Sequence, residues 1–396
     1  MGVALRRGLR ALHGYLGLSL GLVFVLLGIT GSGLVFYPDL DQLLNPALKP
    51  MPGLAAAPRV DLDQALARLR AAYPPETGYG GRWRFELPMD ASRPLMARYY
   101  QPPERAGRHF APLLVSLDPQ SLDITSARFW GDGGMTWIYD LHYTLLLEED
   151  GLVLVGWCGL ALALLLLSGL ALWWPRPGRW REALRLRPRP RPGVFVFDLH
   201  MLAGWSSALV LLLVAVSGVG LAWPQPARQL VGQFSPLAER PRPGASAAIR
   251  AGDAENPAGP SGPLSLAHAQ ALAQARFPGA ELRWVESSGA AGEPLMLRLY
   301  QPGEPSRRFP HTQLWLDSLD GRPLAERDPR QMGAGDTVLN WLHPLHNGEA
   351  FGLAGRWLVL VSGLMPLVLG ISGTLRWWQR RQARARSRLK TAAGTF

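Results

Sequence analysis

The chain has 396 residues, 48% of them hydrophobic and 18% charged, with a formal net charge of +11. That is too apolar for an ordinary soluble protein and too polar for a chain made only of membrane spans, so spans alternating with polar segments are expected. A single cysteine, Cys158, leaves no room for a disulfide framework, a c-type haem attachment site or a thiolate metal cluster.

In chain order, four stretches supply the roughly 20 apolar residues that a bilayer core requires: Leu12 to Tyr37, Leu152 to Trp174, Met201 to Trp223 and Leu353 to Trp378. The first follows Arg6, Arg7 and Arg10, as a secretory signal would. Its apolar run is too long for one, however, and no small-residue cleavage pattern precedes Tyr37-Pro38, so it reads as span 1. The polar segment after it opens with a helical pattern, DLDQALARLRAAYP from Asp61, and continues with strand-like runs. Spans 2 and 3 are joined by a short segment with Arg176, Arg179, Arg181, Arg185, Arg187, Arg189 and Arg191 against Glu182. A second polar segment again begins with a helical pattern ending at proline, LSLAHAQALAQARFPG from Leu264. The tail after span 4 carries Arg376, Arg380, Arg381, Arg384, Arg386, Arg388 and Lys390 without an acid. Lys and Arg near span ends are retained in the cytoplasm, which places both termini and the short loop inside and the two long segments outside, in the periplasm of a Gram-negative bacterium. The net charge is therefore a topology signal, and the run RLRPRPRP is not read as a nucleic-acid site.

The two halves repeat each other. PLMARYYQP from Pro94 recurs as PLMLRLYQP from Pro294, each followed by a basic-aromatic step, Arg108-His109-Phe110 and Arg307-Arg308-Phe309, and then by a stretch ending in SLD. The likeness runs into the spans: SGLALWW from Ser168 matches SGTLRWW from Ser372, the same offset sets His142 on His346, and LHGYLG around His13 matches LHMLAG around His200.

Four of the eight histidines thus fall at matched places. With a rise of about 1.5 Å per residue, His13 and Tyr37 stand about 36 Å apart, nearly a membrane thickness. His13 and His200 are then expected at the start of spans 1 and 3 on the inner side, and His142 and His346 at the outer edge of spans 2 and 4. Imidazoles from two facing helices are what a bis-histidine b-type haem needs, one on each face of the macrocycle. Gly17, Gly21, Phe24, Gly28 and Gly31 follow His13 on one helical face, and Gly204, Ala208, Leu211 and Gly218 follow His200. Small residues at those spacings admit a macrocycle or a neighbouring backbone. A histidine near a helix end, taken singly, is more often an interfacial polar residue, and recurrence in both halves is what favours ligation. His343 shares a face with His346 and is the weaker outer candidate. Zinc or copper sites want more ligands gathered in one place than two histidines per membrane face. His109, His268 and His311 read as surface or loop residues, the tryptophans near span ends as interfacial anchors, and Ser168, Ser217 and Ser372 as helix-packing residues, since no GxSxG elbow surrounds them.

The HGYLGL opening, the DLH start of span 3, the PLHNGEAFGLAGR entry to span 4 and the proline-ended helices of the polar segments resemble the bacterial PepSY-associated transmembrane proteins, over nearly the whole chain. That family includes iron-regulated membrane proteins and ferric-siderophore reductases carrying two haems between four helices. The resemblance implies an integral membrane α-helical fold with four transmembrane helices in two span-domain-span repeats and two α+β PepSY-like extracytoplasmic domains. The corresponding division is 1–37 (tail and helix 1), 38–135 (first PepSY-like domain), 136–174 (outer histidine segment and helix 2), 175–198 (basic loop), 199–223 (helix 3), 224–335 (second PepSY-like domain), 336–378 (outer histidine segment and helix 4) and 379–396 (basic tail). It sets His13, His142, His200 and His346 on the family's histidine positions and implies two b haems that move electrons from a cytoplasmic or membrane donor to a periplasmic ferric chelate, as in a ferric-siderophore reductase of the bacterial inner membrane. Because no GxGxxG motif opens a helix after a strand, the donor is expected to be another molecule. Arg82, Arg84, Arg98, Arg108, Arg298, Arg307 and Arg308 would suit an anionic chelate, although most solvated arginines on a strand serve only the surface. The rival reading is a membrane-anchored PepSY binding module without redox activity. An iron or siderophore permease is disfavoured by spans almost empty of charge.

Overall fold

The computed structural model describes residues 2–49, 60–89, 93–187, 192–239, 264–289 and 293–393. It divides into a helical unit (1–36, 138–227 and 342–396) and a sheet unit (37–137 and 228–341).

Four helices of the helical unit are long and apolar enough to cross a membrane: α1 (Val3–Leu34), α5 (Glu148–Trp173), α7 (Pro192–Ala222) and α11 (Gly352–Ala393). Their outward side chains confirm the solvent they are built for, with Leu22 82% and Leu209 79% exposed; only lipid tails would cover such groups without a hydrophobic penalty. Shorter helices complete the α set: α2 (Tyr37–Leu44), α3 (Leu62–Ala72), α4 (Gly134–Thr144), α6 (Trp180–Ala183), α8 (Pro224–Gly232), α9 (Leu266–Arg276) and α10 (Ala334–His346). The spans packed side by side are α1 with α5, α5 with α7, α7 with α11 and α11 with α1, which leaves α1 facing α7, and α5 facing α11, across the bundle. Small residues set the closest approaches. A Cβ on Gly28 would collide with the Gly363 carbonyl, Ser32 donates to the Leu360 carbonyl at 2.9 Å, and a Cβ on Gly156 would enter the Trp223 indole.

The helix bounds correct several expectations. The first span ends at Leu34, and Tyr37 opens α2 in the sheet unit. Helix α7 begins at Pro192, so His200 lies more than two turns inside it, as His13 does in α1, where both were expected at helix starts. Helix α11 runs to Ala393, well past Trp378, because the arginine-rich tail is made of good helix formers with no proline or glycine until the end. Arg189 and Arg191 of the basic loop lie outside the described residues.

In the sheet unit, β1 (Trp83–Glu86), β2 (Leu95–Tyr99), β3 (Leu113–Leu117) and β4 (Ile124–Phe129) form one meander, and β5 (Glu281–Glu286), β6 (Leu295–Tyr300), β7 (Thr312–Leu316) and β8 (Pro323–Arg327) a second. The polar segments were expected to form two domains. They instead share one eight-stranded antiparallel sheet, order β4-β3-β2-β1-β5-β6-β7-β8, because the open edges of β1 and β5 pair, Phe85 opposite Val285. Joining the edges removes two unpaired strand borders at once. Period-2 alternation turns Trp83, Phe85, Ala97, Tyr99, Val285, Leu297 and Leu299 to one face, where Leu62, Ala65, Leu66 and Leu69 of α3 and Leu266, Ala269 and Ala273 of α9 cover them. Asp61 caps α3 by accepting from the Asp63 and Gln64 N–H groups, both at 3.0 Å. The Asp63 carboxylate in turn accepts from the Leu266 and Ala267 N–H groups at 2.7 and 3.0 Å, tying the N-terminus of α9 to that of α3.

Candidate functional site

The bundle interior brings the matched histidines together in two pairs. The His13 and His200 rings, from the facing helices α1 and α7, lie 6.3 Å apart between centroids and nearly perpendicular, at 87°. Those of His142 (α4) and His346 (α10) lie 6.1 Å apart at 51°. The ring that faces His142 belongs to His346; His343 is one turn earlier on α10. Along α1, His13 and the Thr30 that touches His142 are separated by about 26 Å of helix, so the pairs sit near opposite ends of the spans.

Each imidazole is held by the same device, one that sequence reading passed over. A hydroxyl residue followed by glycine on the neighbouring span receives it: Ser168-Gly169 takes His13, Thr30-Gly31 takes His142, Ser372-Gly373 takes His200 and Ser217-Gly218 takes His346. The glycine supplies the space. A Cβ at Gly169, Gly31 or Gly218 would stand 2.9, 2.8 and 2.9 Å from Cε1 of its histidine, and one at Gly373 3.4 Å from Cε1 of His200. The hydroxyl fixes the ring, with Oγ (Oγ1 in Thr30) 3.1, 3.1, 2.9 and 3.3 Å from Nδ1 of His13, His142, His200 and His346.

These contacts determine the tautomer. Each hydroxyl donates its proton back to its own helix, as Thr30 does to the Leu26 carbonyl at 2.7 Å and Ser372 to the Val368 carbonyl at 2.6 Å. Its oxygen therefore faces Nδ1 as an acceptor. The carbonyls of Leu165 and Val214, which can only accept, lie 3.0 and 2.9 Å from Nδ1 of His13 and His346, and the backbones of Leu27 and Leu369 bond His142 and His200 from the equivalent place. All four rings thus carry a proton on Nδ1, which in the neutral imidazole leaves the lone pair on Nε2. Histidines that bind metals usually have one ring nitrogen fixed by a protein acceptor in this way, which leaves the other free to ligate.

The glycine stripe resolves into separate tasks. Gly28 packs against α11, while Gly31 and Gly218 receive imidazoles. A Cβ on Gly21 would meet nothing within 4 Å, and those on Gly17 and Gly204 would meet only Leu165 and Leu369 side chains at 3.8 and 3.6 Å. Trp173 also departs from its expected anchoring role. It is 8% exposed, meets Trp180 edge-on and Trp205 at a tilt, both at 5.7 Å between centroids, and its indole N–H is buried without a hydrogen-bond partner. Trp174 and Trp378 are 67% and 55% exposed, as interfacial anchors are.

His109 and His268 are exposed as expected, but His311 is not a plain surface residue. Burial, with Arg327 and Arg298 nearby, holds its pKa down to about 4. Most of the candidate arginines are committed to carboxylates: Arg82 to Glu293 at 3.1 Å, Arg84 to Glu286, Arg98 to Glu86 at 2.9 Å, Arg307 to Glu281 at 2.7 Å and Arg308 to Glu86 at 3.4 Å. Among the described residues, no three His, Cys, Asp or Glu side chains gather in one place.

Four apolar helices long enough to span a bilayer, joined to an α+β sheet unit, define a multi-pass membrane protein. The chain belongs to the family described as the PepSY-associated TM region, which matches residues 10–380. No curated protein matches it in sequence.

Proposed function

We propose that the protein transfers electrons across the bacterial inner membrane through two bis-histidine b haems, one held by His13 and His200 and the other by His142 and His346, and reduces a periplasmic ferric chelate. The observation that carries this reading is the spacing of the ring pairs, 6.3 and 6.1 Å between centroids. Metal bonds of about 2 Å on opposite sides of one ion put two imidazole centres about 6 Å apart. Paired histidines with Nδ1 already engaged, His13 and His200 on the facing spans α1 and α7 and His142 and His346 on the short helices α4 and α10, would hold the iron of each haem, and the room at Gly17, Gly21 and Gly204 suits a flat macrocycle. The partnerless Trp173 N–H would serve an acidic edge group on it.

The haems would supply one-electron redox chemistry. The chain's own residues do the rest: the hydroxyl-glycine cradles orient the rings, apolar side chains keep water out, and the basic segment between α5 and α7 and the basic end of α11 set the cytoplasmic side. The matched cradles support a span-domain-span duplication. Ferric iron given up as Fe(II) is held less firmly by hard oxygen ligands, so reduction would release it.

The test is a visible spectrum of the protein in mild detergent, oxidised and then dithionite-reduced, with haem quantified for wild type and for His13→Ala, His142→Ala, His200→Ala and His346→Ala. Two low-spin b haems per chain, each lost or converted by the matching pair of substitutions, are expected. A colourless protein from haem-sufficient cells would overturn the reading and favour a membrane-anchored binding module.

A further inference from the structure

The sheet has a second face, formed by residues alternating away from α3 and α9, and its charges do not balance. The strand register aligns Arg128, Leu114, Arg98, Arg84, Glu286 and Met296 in one row across the sheet. The next row contains Glu86, Trp284, Arg298, Gln313 and Arg327. Within these two rows five arginines stand with two glutamates, and Glu281 in the row beyond is taken up by Arg283 and Arg307. Arg128 is paired with Asp41, Arg98 with Glu86, Arg84 with Glu286, and Arg327 donates to the Asn340 side-chain oxygen at 2.9 Å. Arg308 reaches over the same face to Glu86, so neither glutamate is left over.

Arg298 has no such partner. Among the described residues no carboxylate lies within ion-pair distance of it, and its Nε is shut off from solvent without a hydrogen bond. Burial holds its pKa down, with only the Tyr100 hydroxyl acting in the other direction. Its cross-strand neighbour is Trp284, on which Phe309 stacks at 6.0 Å. The nearby His311 is held neutral near pH 7 and adds no opposing charge. Arg298 is half-buried, so leaving its guanidinium without a carboxylate is costly where solvent is restricted, and its planar fork matches two oxygens of one anion.

We propose that Arg298 is the anchor for a negatively charged oxygen group, carboxylate or phenolate, of the ferric chelate, seated beside the Trp284–Phe309 stack. The site follows from the sheet alone; only the identity of its ligand as the chelate to be reduced rests on the electron-transfer reading. Arg84 and Arg98 raise the local positive potential, while their own carboxylates keep them from competing for the ligand. The uncompensated guanidinium is thus specific to one position on the face.

The experiment uses the full-length protein in detergent and gallium(III) complexes, which resemble the ferric ones but are not reduced under these conditions. Binding of an anionic gallium citrate and of an uncharged gallium trihydroxamate is measured by calorimetry for wild type, Arg298→Gln, Arg298→Lys and, as a control, the surface variant Arg276→Gln, whose side chain pairs with Glu326 on the α9 side of the sheet. Wild type is expected to bind the anionic complex at least tenfold more tightly than the uncharged one. Arg298→Gln should lose that preference, Arg298→Lys should recover part of it, and Arg276→Gln should leave it unchanged. Unaltered citrate binding by a folded Arg298→Gln variant, or complete displacement of the complex by equimolar inorganic phosphate, would overturn the proposal. Should Arg298→Gln fail to fold, the lysine variant still decides, because full-strength binding by a side chain without the bidentate fork contradicts the assignment. A wild type that binds gallium citrate through Arg298 yet contains no haem keeps this site and removes the electron-transfer reading.

Discussion

A Cβ on Gly31 would stand 2.8 Å from Cε1 of His142, closer than two carbons approach without strain. Gly31→Ala should therefore push the imidazole out of line, as should Gly169→Ala and Gly218→Ala, at about 1–3 kcal/mol each in an overpacked interior. Gly373→Ala, with 3.4 Å available, should cost least. Thermal unfolding checks the order, and on the proposed two-haem reading the visible spectrum of the Gly31→Ala variant should lose the haem at the His142–His346 pair and keep the one at His13–His200.

Replacing Thr30 by Val or Ser372 by Ala keeps the cradle's shape and deletes the acceptor opposite Nδ1. The backbone carbonyl remains as the second partner of each ring. Losing one outer-shell partner typically costs 10- to 100-fold in metal affinity. On the proposed two-haem reading, haem transfer to apomyoglobin from each variant should therefore accelerate at one site only.

Trp173→Phe separates two roles of one buried N–H. Without a bound group, removing a polar atom that has no partner should stabilise the protein by about 1 kcal/mol. With haem bound, the same change should speed loss of the inner haem. Stabilisation in both states would show that the indole N–H serves no ligand.

Glu86 sits between Arg98 and Arg308. Burial presses its pKa upward, but Arg308, Arg98 and Arg283 together hold it below the usual carboxylate range. A depressed folded pKa contributes stability above the unfolded value near 4.5 that is lost as pH falls through the folded value. Glu86→Gln leaves two arginines short of their carboxylate and should destabilise by about 3–5 kcal/mol at pH 7, a gap that narrows in acid. Denaturant titrations of both proteins from pH 7 to pH 3 measure it.

His311 gives the neighbouring window. Its folded pKa of about 4 lies below the free value of 6.5, so the unfolded chain takes up the proton first. The stability it protects is whole above about pH 6.5, erodes as pH falls and is gone below about 4, an effect of about 3 kcal/mol. His311→Gln should flatten the curve between pH 7 and pH 4 while leaving the dependence below it unchanged.

The four spans and the four matched histidines were legible because hydropathy and internal repetition are properties of the sequence itself. The pairing of His13 with His200 followed from placing both near one side of the membrane. The cradles were missed because serine and threonine beside glycine in an apolar helix look like packing residues. Their signal was positional: Thr30 and Ser217 stand at one offset from His13 and His200, and Ser168 and Ser372 at another from His142 and His346. The joined sheet was hidden for another reason. Whether β1 and β5 meet depends on two edges far apart in the chain, and the alternation in Trp83–Glu86 is the same with or without that partner.

The junction between α4 and α5 makes His142 a matter of phase. Leu145, Leu146 and Glu148 all hold left-handed backbone, and a Cβ on Gly151 would collide with the Thr144 carbonyl. At the corresponding turn after His346, Gly348 and Gly352 are left-handed, and Gly355 meets the Gly348 carbonyl in the same way. Such a tight reversal cannot absorb an extra residue by bulging. One residue added within the last turn of α4 would rotate the imidazole about 100° around the helix axis, away from His346 and out of its cradle, with every ligand and cradle residue still present in the sequence. The outer pair is thus tuned by counting as much as by chemistry: a chain of this kind keeps its site only if the number of residues across the elbow stays fixed.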